Sequence, residues 1–206
     1  MLALMADKIG MTQIFDEKGV LIPVTVIHIK PNVVIGERNT KKHGYSAVIL
    51  GSDTVKENKI SKPLMGQFPE GVKPQKNIME IRDFDKECKV GDELGVEIFD
   101  GIRYVDVSGI SKGKGYQGVM KRHGFGGGRK THGSKFHRAG GSTGMAAWPS
   151  KVMKGTRMAG RMGGVNRTVQ NLSVVRLDKE KSVLLVKGAV PGRNKNKILV
   201  MKSKKK

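Results

Sequence analysis

The 206-residue sequence contains little cysteine, few aromatic residues and no long hydrophobic run. Cys88 is the only cysteine, which excludes an internal disulfide and a metal site built from several cysteines. The apolar start ends at Asp7, too early for the core of a secretion signal, and no apolar run approaches the roughly 18 residues that a membrane span requires. These absences predict a soluble intracellular protein. The aromatic content of 5% predicts a modest hydrophobic core.

Acidic residues are missing from a long stretch of the chain. Residues 107–177 hold 14 lysines and arginines and no aspartate or glutamate. Residues 1–106 hold 15 basic and 16 acidic side chains, and residues 178–206 hold 10 basic and 2 acidic ones, so the second half carries nearly all of the net charge of +21. Interleaved acids normally reduce the self-repulsion of a basic surface. Their absence therefore indicates a polyanionic partner: nucleic acid, an anionic membrane face or an acidic protein.

Two separate parts of the sequence are rich in β-branched and apolar residues, as expected for strands. Pro23 predicts that the first strand lies at a sheet edge or contains a bulge. Asp100-Gly101 predicts a hairpin turn, and residues 178–181 predict a polar turn. The predicted strands are residues 20–29, 45–50, 94–99 and 103–107 in the first part, and residues 168–177, 182–190 and 197–201 in the second.

The order of these segments predicts a mainly β protein with an extension. Residues 1–110 and 165–206 are expected to form one β-barrel domain together, with an irregular insertion at about residues 51–85, where prolines and glycines interrupt the pattern. Residues 111–164, called the arm below, are expected to loop out as an extended, non-globular segment. So long a loop is acceptable in a compact domain only if it becomes ordered on a partner.

The composition of the arm suits RNA. It contains 15 glycines, 12 lysines or arginines and three histidines, and its large apolar side chains follow neither a helical nor a strand period. Lysine and arginine neutralise phosphates, glycine allows a close backbone approach, and Tyr116, Phe125, Phe136 and Trp148 can stack on unpaired bases. A flexible basic linker is the alternative, but linkers usually contain serine and acids and rarely hold aromatic residues at intervals.

Three apparent chemical motifs in the arm are rejected. Residues 113–118 match the dinucleotide pattern G-x-G-x-x-G, but the following residues are not expected to form the helix it requires, and the acid that binds the ribose is missing. His123, His132 and His137 have no cysteine or carboxylate nearby, so contacts with phosphates or bases are favoured over zinc. Ser134 has no acid that could orient a catalytic histidine. We therefore expect no cofactor, metal or catalytic residue.

Several segments resemble the bacterial ribosomal protein L3 family (uL3), in order along most of the chain. The resemblance is weak in residues 51–85 and 193–206. The segments that carry it are Lys8-Ile-Gly-Met-Thr-Gln-Ile-Phe15, Ser111-Lys-Gly-Lys-Gly115, Lys121-Arg122, Thr131-His-Gly133, His137-Arg138, Gly141-Ser142, Lys154-Gly-Thr-Arg-Met-Ala-Gly160, Val169-Gln-Asn-Leu172 and Leu184-Leu-Val-Lys-Gly-Ala-Val-Pro-Gly192.

This resemblance implies a fold and a function. The family has a six-stranded translation-protein barrel, and its central extension, here about residues 112–162, runs through large-subunit RNA toward the peptidyl transferase centre. It implies a cytoplasmic, non-enzymatic constituent of the large ribosomal subunit that binds 23S rRNA early in assembly, with proteins uL14 and bL19 as neighbours. The residues then expected to bind rRNA are Lys112, Lys114, Lys121, Arg122, His123, Arg129, Lys130, His132, Lys135, His137, Arg138, Lys151, Lys154, Arg157, Arg161 and Arg167.

The expected tip of the arm departs from the bacterial pattern. It comprises Gly144, Met145, Ala146, Ala147, Trp148 and Pro149. Bacterial members often carry a polar run here with a glutamine that is methylated in some species, and this chain has no glutamine at the matching place. Trp148 resembles the tip tryptophan of archaeal and eukaryotic relatives. It either packs among RNA bases near the catalytic centre or fills a local RNA crevice without functional effect.

Two other functions compete with this prediction. An architectural DNA-binding protein would have a similar charge, but it should show a helix for the major groove or a regular repeat, and the sequence shows neither. A nucleotide-dependent enzyme would have to use the turn at residues 113–118. Neither alternative explains why the excess charge is concentrated in an acid-free arm.

Overall fold

The computed structural model describes residues 1–205, and the chain divides into two compact units. The first unit combines Met1–Ile110 with the chain from Asn166 onward, and the second is Ser111–Val165. The strands are β1 Ala3–Phe15, β2 Leu21–His28, β3 Asn32–Arg38, β4 Ala47–Thr54, β5 Gln75–Arg82, β6 Glu93–Leu94, β7 Tyr104–Ile110, β8 Tyr116–Gln117, β9 Gly160–Arg161, β10 Asn166–Asp178, β11 Val183–Lys187 and β12 Lys197–Lys202. The helices are α1 Thr40–His43, α2 Lys62–Met65 and α3 Val119–His123, with 3-10 helices at Glu57–Lys59 and Val96–Phe99.

A closed antiparallel barrel of six strands forms the centre of the first unit, which confirms the predicted barrel. Its strand order is β1-β12-β7-β10-β11-β2. Three of these strands precede the arm and three follow it. The predicted strands at residues 20–29, 168–177, 182–190 and 197–201 are confirmed as β2, β10, β11 and β12. The polar turn at residues 178–181 is also confirmed, and in it the Lys181 N–H donates to the Asp178 carboxylate at 3.1 Å.

A second antiparallel sheet, in the order β5-β4-β3-β6, shares one hydrophobic core with the barrel. Leu4, Val107 and Leu184 from the barrel are fully buried in the same cluster as Leu50 and Phe99. The buried Asn32 at the start of β3 joins the two sheets. Its amide accepts a hydrogen bond from the Met5 N–H at 3.1 Å and donates to the Met5 carbonyl at 3.0 Å.

Residues 51–85 are more regular than predicted. β4 continues to Thr54, and β5 pairs with β4 along its whole length, from Ala47 opposite Arg82 to Thr54 opposite Gln75. The sequence of β5 does not alternate clearly between apolar and polar residues, and only two of its eight residues, Gln75 and Ile81, are buried. Backbone pairing with β4, which a periodicity analysis does not detect, therefore defines this strand.

The predicted strand at residues 94–99 and its hairpin are wrong. Only Glu93–Leu94 is a strand, and after Gly95 the chain forms a 3-10 helix at Val96–Phe99. Val96 and Phe99 are both buried, and a three-residue spacing places them on one side of such a helix. Asp100-Gly101 therefore follows a helix and does not connect two paired strands. The predicted strands at residues 45–50 and 103–107 are confirmed within β4 and β7, whereas β1 and β3 were not predicted.

Pro23 lies within the barrel and not on an edge strand, although its position fits the physical reason for the prediction. It pairs with Gln13 of β1, but β11 pairs with β2 only as far as Val24. On that side of the sheet the ladder has ended before Pro23 is reached, and only the Gly188 N–H continues it, by donating to the Pro23 carbonyl. A missing N–H is therefore tolerated at this position.

Candidate nucleic-acid interface

The second unit begins and ends in a narrow antiparallel ladder. β8 pairs with β9, with Tyr116 opposite Arg161. Further backbone hydrogen bonds extend this ladder toward the first and last residues of the arm. The Ser111, Lys114 and Met162 N–H groups donate to the carbonyls of Val165, Met162 and Gly115 respectively, each at 2.9 Å. The two ends of the arm are thus held side by side. The sequence did not predict this ladder, because its strands are two residues long.

A short helix follows the ladder, in residues that were predicted not to form the helix that a dinucleotide site requires. α3 is only five residues long, and Gly124, in the left-handed conformation, ends it by donating to the Met120 carbonyl. Val119 is the one buried residue of the helix. Local side-chain packing therefore stabilises one helical turn where the sequence lacks a helical period. The arm accordingly contains some regular structure of its own, in contrast to the irregular segment that was expected.

Two residues predicted to bind rRNA also contact the arm itself. The Arg122 guanidinium donates to the Met158 carbonyl at 2.7 Å, and His123 Nε2 lies 3.0 Å from the same oxygen. Both side chains are half-buried. Gly160 lies against the Arg122 guanidinium, where a Cβ atom would come within 2.7 Å of it. In this structure Arg122 and His123 join α3 to the returning strand of the arm.

The distal part of the arm is a series of loops joined by local hydrogen bonds. The Gly128 N–H donates to the His137 carbonyl at 2.8 Å, and Gly128 packs tightly against the Phe136 ring. Closer to the tip, the Ser142 hydroxyl donates to the Gly144 carbonyl at 2.9 Å. Trp148 is 88% exposed and Met145 is 73% exposed. Both large apolar side chains of the tip are therefore accessible to a partner.

The predicted cationic residues of the second unit, apart from Arg122 and His123, have exposed side chains. Because the unit contains no carboxylate, none of these charges can be neutralised within it. Arg167 is also exposed but belongs to the first unit, in β10 opposite Gly109. The sequence prediction did not name the exposed Arg193 and Lys195, and its only signal for them was the basic excess of residues 178–206.

In the first unit, acidic side chains form salt bridges with some of the lysines. Asp7 and Asp53 pair with Lys30 and Lys197 at N–O distances of 2.6–3.3 Å. Every salt bridge between side chains found in residues 1–205 lies in this unit. The two units therefore differ, because the first contains acids that pair with some of its lysines and the second contains only positive charge.

Comparison with known proteins identifies the family. The family model described as ribosomal protein L3 matches residues 71–184. Large ribosomal subunit protein uL3 of Borrelia hermsii is 53% identical over 207 residues, covering 100% of this chain and 99% of the relative. The uL3 protein of Treponema denticola is 54% identical over 193 residues, covering 94% of this chain and 93% of the relative.

The chain belongs to the ribosomal protein L3 family. As an L3-family protein it is a component of the large ribosomal subunit, a ribonucleoprotein of the translation machinery. The region matched by the family model includes the whole second unit together with β5–β7, β10 and the start of β11. Residues 190–196 lie beyond that region.

Two further observations concern sites of other kinds. Within residues 1–205, no helix is long and apolar enough to cross a membrane. In the same part of the chain, no three histidine, cysteine, aspartate or glutamate side chains are grouped so that they could hold a metal ion.

Proposed function

We propose that this L3-family chain is a structural constituent of the large subunit that binds 23S rRNA through its arm. The charge pattern of the second unit is the observation that carries this proposal. The unit presents exposed lysines and arginines on loops that have local hydrogen bonds but no acid to compensate them. RNA phosphates would neutralise these charges with release of counterions. Glycines such as Gly126 and Gly133, where an added Cβ atom would meet nothing within 4 Å, leave little side-chain bulk between the backbone and a polyanion.

The same proposal covers the finer roles that the family resemblance implies. The tip, residues 144–149, extends toward the peptidyl transferase centre, and the exposed Trp148 ring stacks on bases there. The chain binds early in subunit assembly, has uL14 and bL19 as neighbours and acts by positioning RNA, without catalysing a reaction. Because His132, His137, Lys135 and Arg138 are exposed on loops of the arm, they are available for phosphate and base contacts. Arg122 and His123 contribute by fixing the shape of the arm.

Neutralising part of the arm tests this function. A variant with Arg129, Lys130, Lys151 and Lys154 all changed to Gln should bind a 23S rRNA transcript more weakly. The slope of log K against log salt should fall by about 3, since each lost phosphate contact contributes roughly 0.7–0.9. Affinity would be measured by filter binding between 0.05 and 0.4 M salt, concentrations that span the range where counterion release dominates.

The matched control removes the same charge from the other unit. Lys41, Lys42, Lys56 and Lys59 are exposed on α1 and around the 3-10 helix at Glu57–Lys59, and their change to Gln should leave the slope nearly unchanged. Equal losses in both variants would mean that only total charge matters, and the arm would have no special role. A duplex DNA of equal length serves as competitor. If the chain prefers DNA, the architectural DNA-binding function is favoured instead.

A further inference from the structure

A buried lysine lies in the wall of the barrel. Lys8 of β1 is only 6% exposed, and its ammonium donates to the carbonyls of Val190 and Gly192 at 2.8 and 3.0 Å. A buried ammonium is costly unless it is hydrogen-bonded, so these contacts strongly favour one position of the loop that supplies the carbonyls. This loop, residues 190–196, connects β11 to β12 and is called the cationic loop below.

Backbone contacts hold the cationic loop at further points. The Lys195 N–H donates to the Lys8 carbonyl at 2.7 Å, and the Lys8 N–H donates to the Asn196 carbonyl at 3.1 Å. Gly192 has a φ of +96° and lies so close to Ile110 that a Cβ atom would be 2.9 Å from the Ile110 carbonyl oxygen. Lys8 thus binds the loop through its backbone and its side chain, and Gly192 is packed where no larger residue fits.

The fixed loop presents positive charge to solvent. Arg193, Asn194 and Lys195 are exposed at its centre, and residues 181–206 contain no acid. Lys195 lines a cleft that contains two carboxylates, Asp7 and Asp53, and both are already paired with Lys30 and Lys197. The loop also packs against Ile110, the residue of the first unit that directly precedes the arm.

We infer that the cationic loop is a second RNA-binding element, in which Arg193 and Lys195 contact backbone phosphates and Lys8 is the positioning residue. This inference rests on the proposed RNA-binding function and extends it from the arm to the barrel. Phosphate is the favoured ligand class because the exposed residues at the centre of the loop, Arg193, Asn194 and Lys195, are all hydrogen-bond donors and none is aromatic or apolar. Such residues suit contacts that carry no base sequence information. The loop adds affinity by presenting charges whose positions are already fixed before RNA arrives.

Substitution of the two exposed cations tests the inference. The variant with Arg193→Gln and Lys195→Gln should bind the 23S rRNA transcript on the order of tenfold more weakly at 0.15 M salt. The salt slope should decrease by about 1.5, as expected for two lost phosphate contacts. The variant with Lys41→Gln and Lys42→Gln is the charge-matched control from the same unit and should retain full affinity.

Comparison with the arm variant that carries four glutamines distinguishes a failure of the loop inference from a failure of the proposed function. If it weakens binding while the loop variant does not, the loop inference is overturned and the proposed function stands, leaving an acidic protein as the ligand of the loop. If neither variant weakens binding, the proposed function itself fails. Weakening by both, with the control unchanged, supports the two elements together.

The role of Lys8 is tested separately with Lys8→Met, using circular dichroism to verify folding. Alone, this substitution should weaken RNA binding, because the loop loses its fixed position. Added to the Arg193→Gln and Lys195→Gln variant, it should have little further effect, since the positioned charges are already absent. An equal further loss in that background would show a general structural role and overturn the positioning role. If Lys8→Met does not fold, the loop variant alone decides whether the loop binds RNA.

Discussion

Four charged side chains form a compensated network where β1, β4 and β12 approach one another. Asp53 accepts hydrogen bonds from Lys30 and Asn77 and pairs with Lys197, while Asp7 pairs with both lysines. Burial alone raises the pKa of Asp53, but the hydrogen bonds from Lys197 and Lys30 outweigh it and lower the pKa below its usual value. The hydrogen bond from Lys30 to Asp53 in turn raises the pKa of Lys30. A lowered carboxyl pKa in the folded state means that the ionised form stabilises the fold.

Asp53→Asn should therefore destabilise the first unit at neutral pH, by about 1–2 kcal/mol for a partly buried network. Asp53 has a φ of +65°, which asparagine also tolerates, so the substitution changes the charge without adding backbone strain. The stabilisation is complete above the unfolded pKa of about 3.9 and is lost as pH falls through the lower folded value. The difference between the two proteins should thus shrink below about pH 4. Urea unfolding followed by far-UV circular dichroism measures it at each pH.

Asp100→Asn is the control for this measurement. The Asp100–Lys179 pair is also 2.6 Å long, but both side chains are mostly exposed, so solvent screens it and its removal should change stability little. If Asp53→Asn were as mild as this control at pH 7, the network would contribute nothing beyond an ordinary surface pair.

At the scale of elements, the ladder at the start of the arm depends on one glycine. Gly163 has a φ of +74°, and a Cβ atom there would overlap the Lys112 carbonyl oxygen. Gly163→Ala should therefore open the ladder, and the N–H groups of Lys114 and Met162 should exchange with solvent at least tenfold faster. The two ends of the arm would no longer be held side by side, so RNA affinity should also fall. Far-UV unfolding of the barrel should be unchanged, because the contacts affected lie within the second unit.

Gly113→Ala provides a matched comparison in the same segment. Its φ lies outside the left-handed region, and nothing lies within 4 Å of its added Cβ. Hydrogen exchange measured by NMR should be the same as in the unsubstituted protein. Equal exchange rates in the two variants would mean that the close approach of Gly163 to Lys112 does not hold the ladder.

The elements that could be predicted from sequence are those defined by their own side chains. β2 and β11 have continuous apolar β-branched sequences, and both were predicted. β5 is not predicted because its pairing with β4, and not its own side chains, defines it. Residues 96–99 are predicted as a strand because their apolar side chains suit a buried strand as well as the buried 3-10 helix that they form. In the arm, the cations can be identified from the sequence, but the internal contacts of Arg122 and His123 cannot be predicted from it. Their common acceptor, the Met158 carbonyl, is 35 or more residues away along the chain.

The distribution of charge over the whole molecule determines how firmly it should be held in a ribonucleoprotein. The net charge of +21 is spread over an acid-free second unit and a basic C-terminal part of the first. High salt weakens each phosphate contact, but the chain is released only when its many contacts are lost together. We therefore expect the protein to sediment with the large subunit on a sucrose gradient and to remain there after a high-salt wash.

A chain without residues 125–160 should behave differently in the same gradient. It keeps the barrel and the cationic loop but loses seven of the lysines and arginines of the arm. The salt slope of its RNA binding should decrease by roughly 6 if each lost cation contacts a phosphate. Because the affinity that those contacts provide is lost as well, it should leave the subunit at a lower salt concentration than the full chain. Release of both proteins at the same modest salt would show that the arm binds only superficially, because an arm embedded in RNA must retain the full chain longer than a barrel alone.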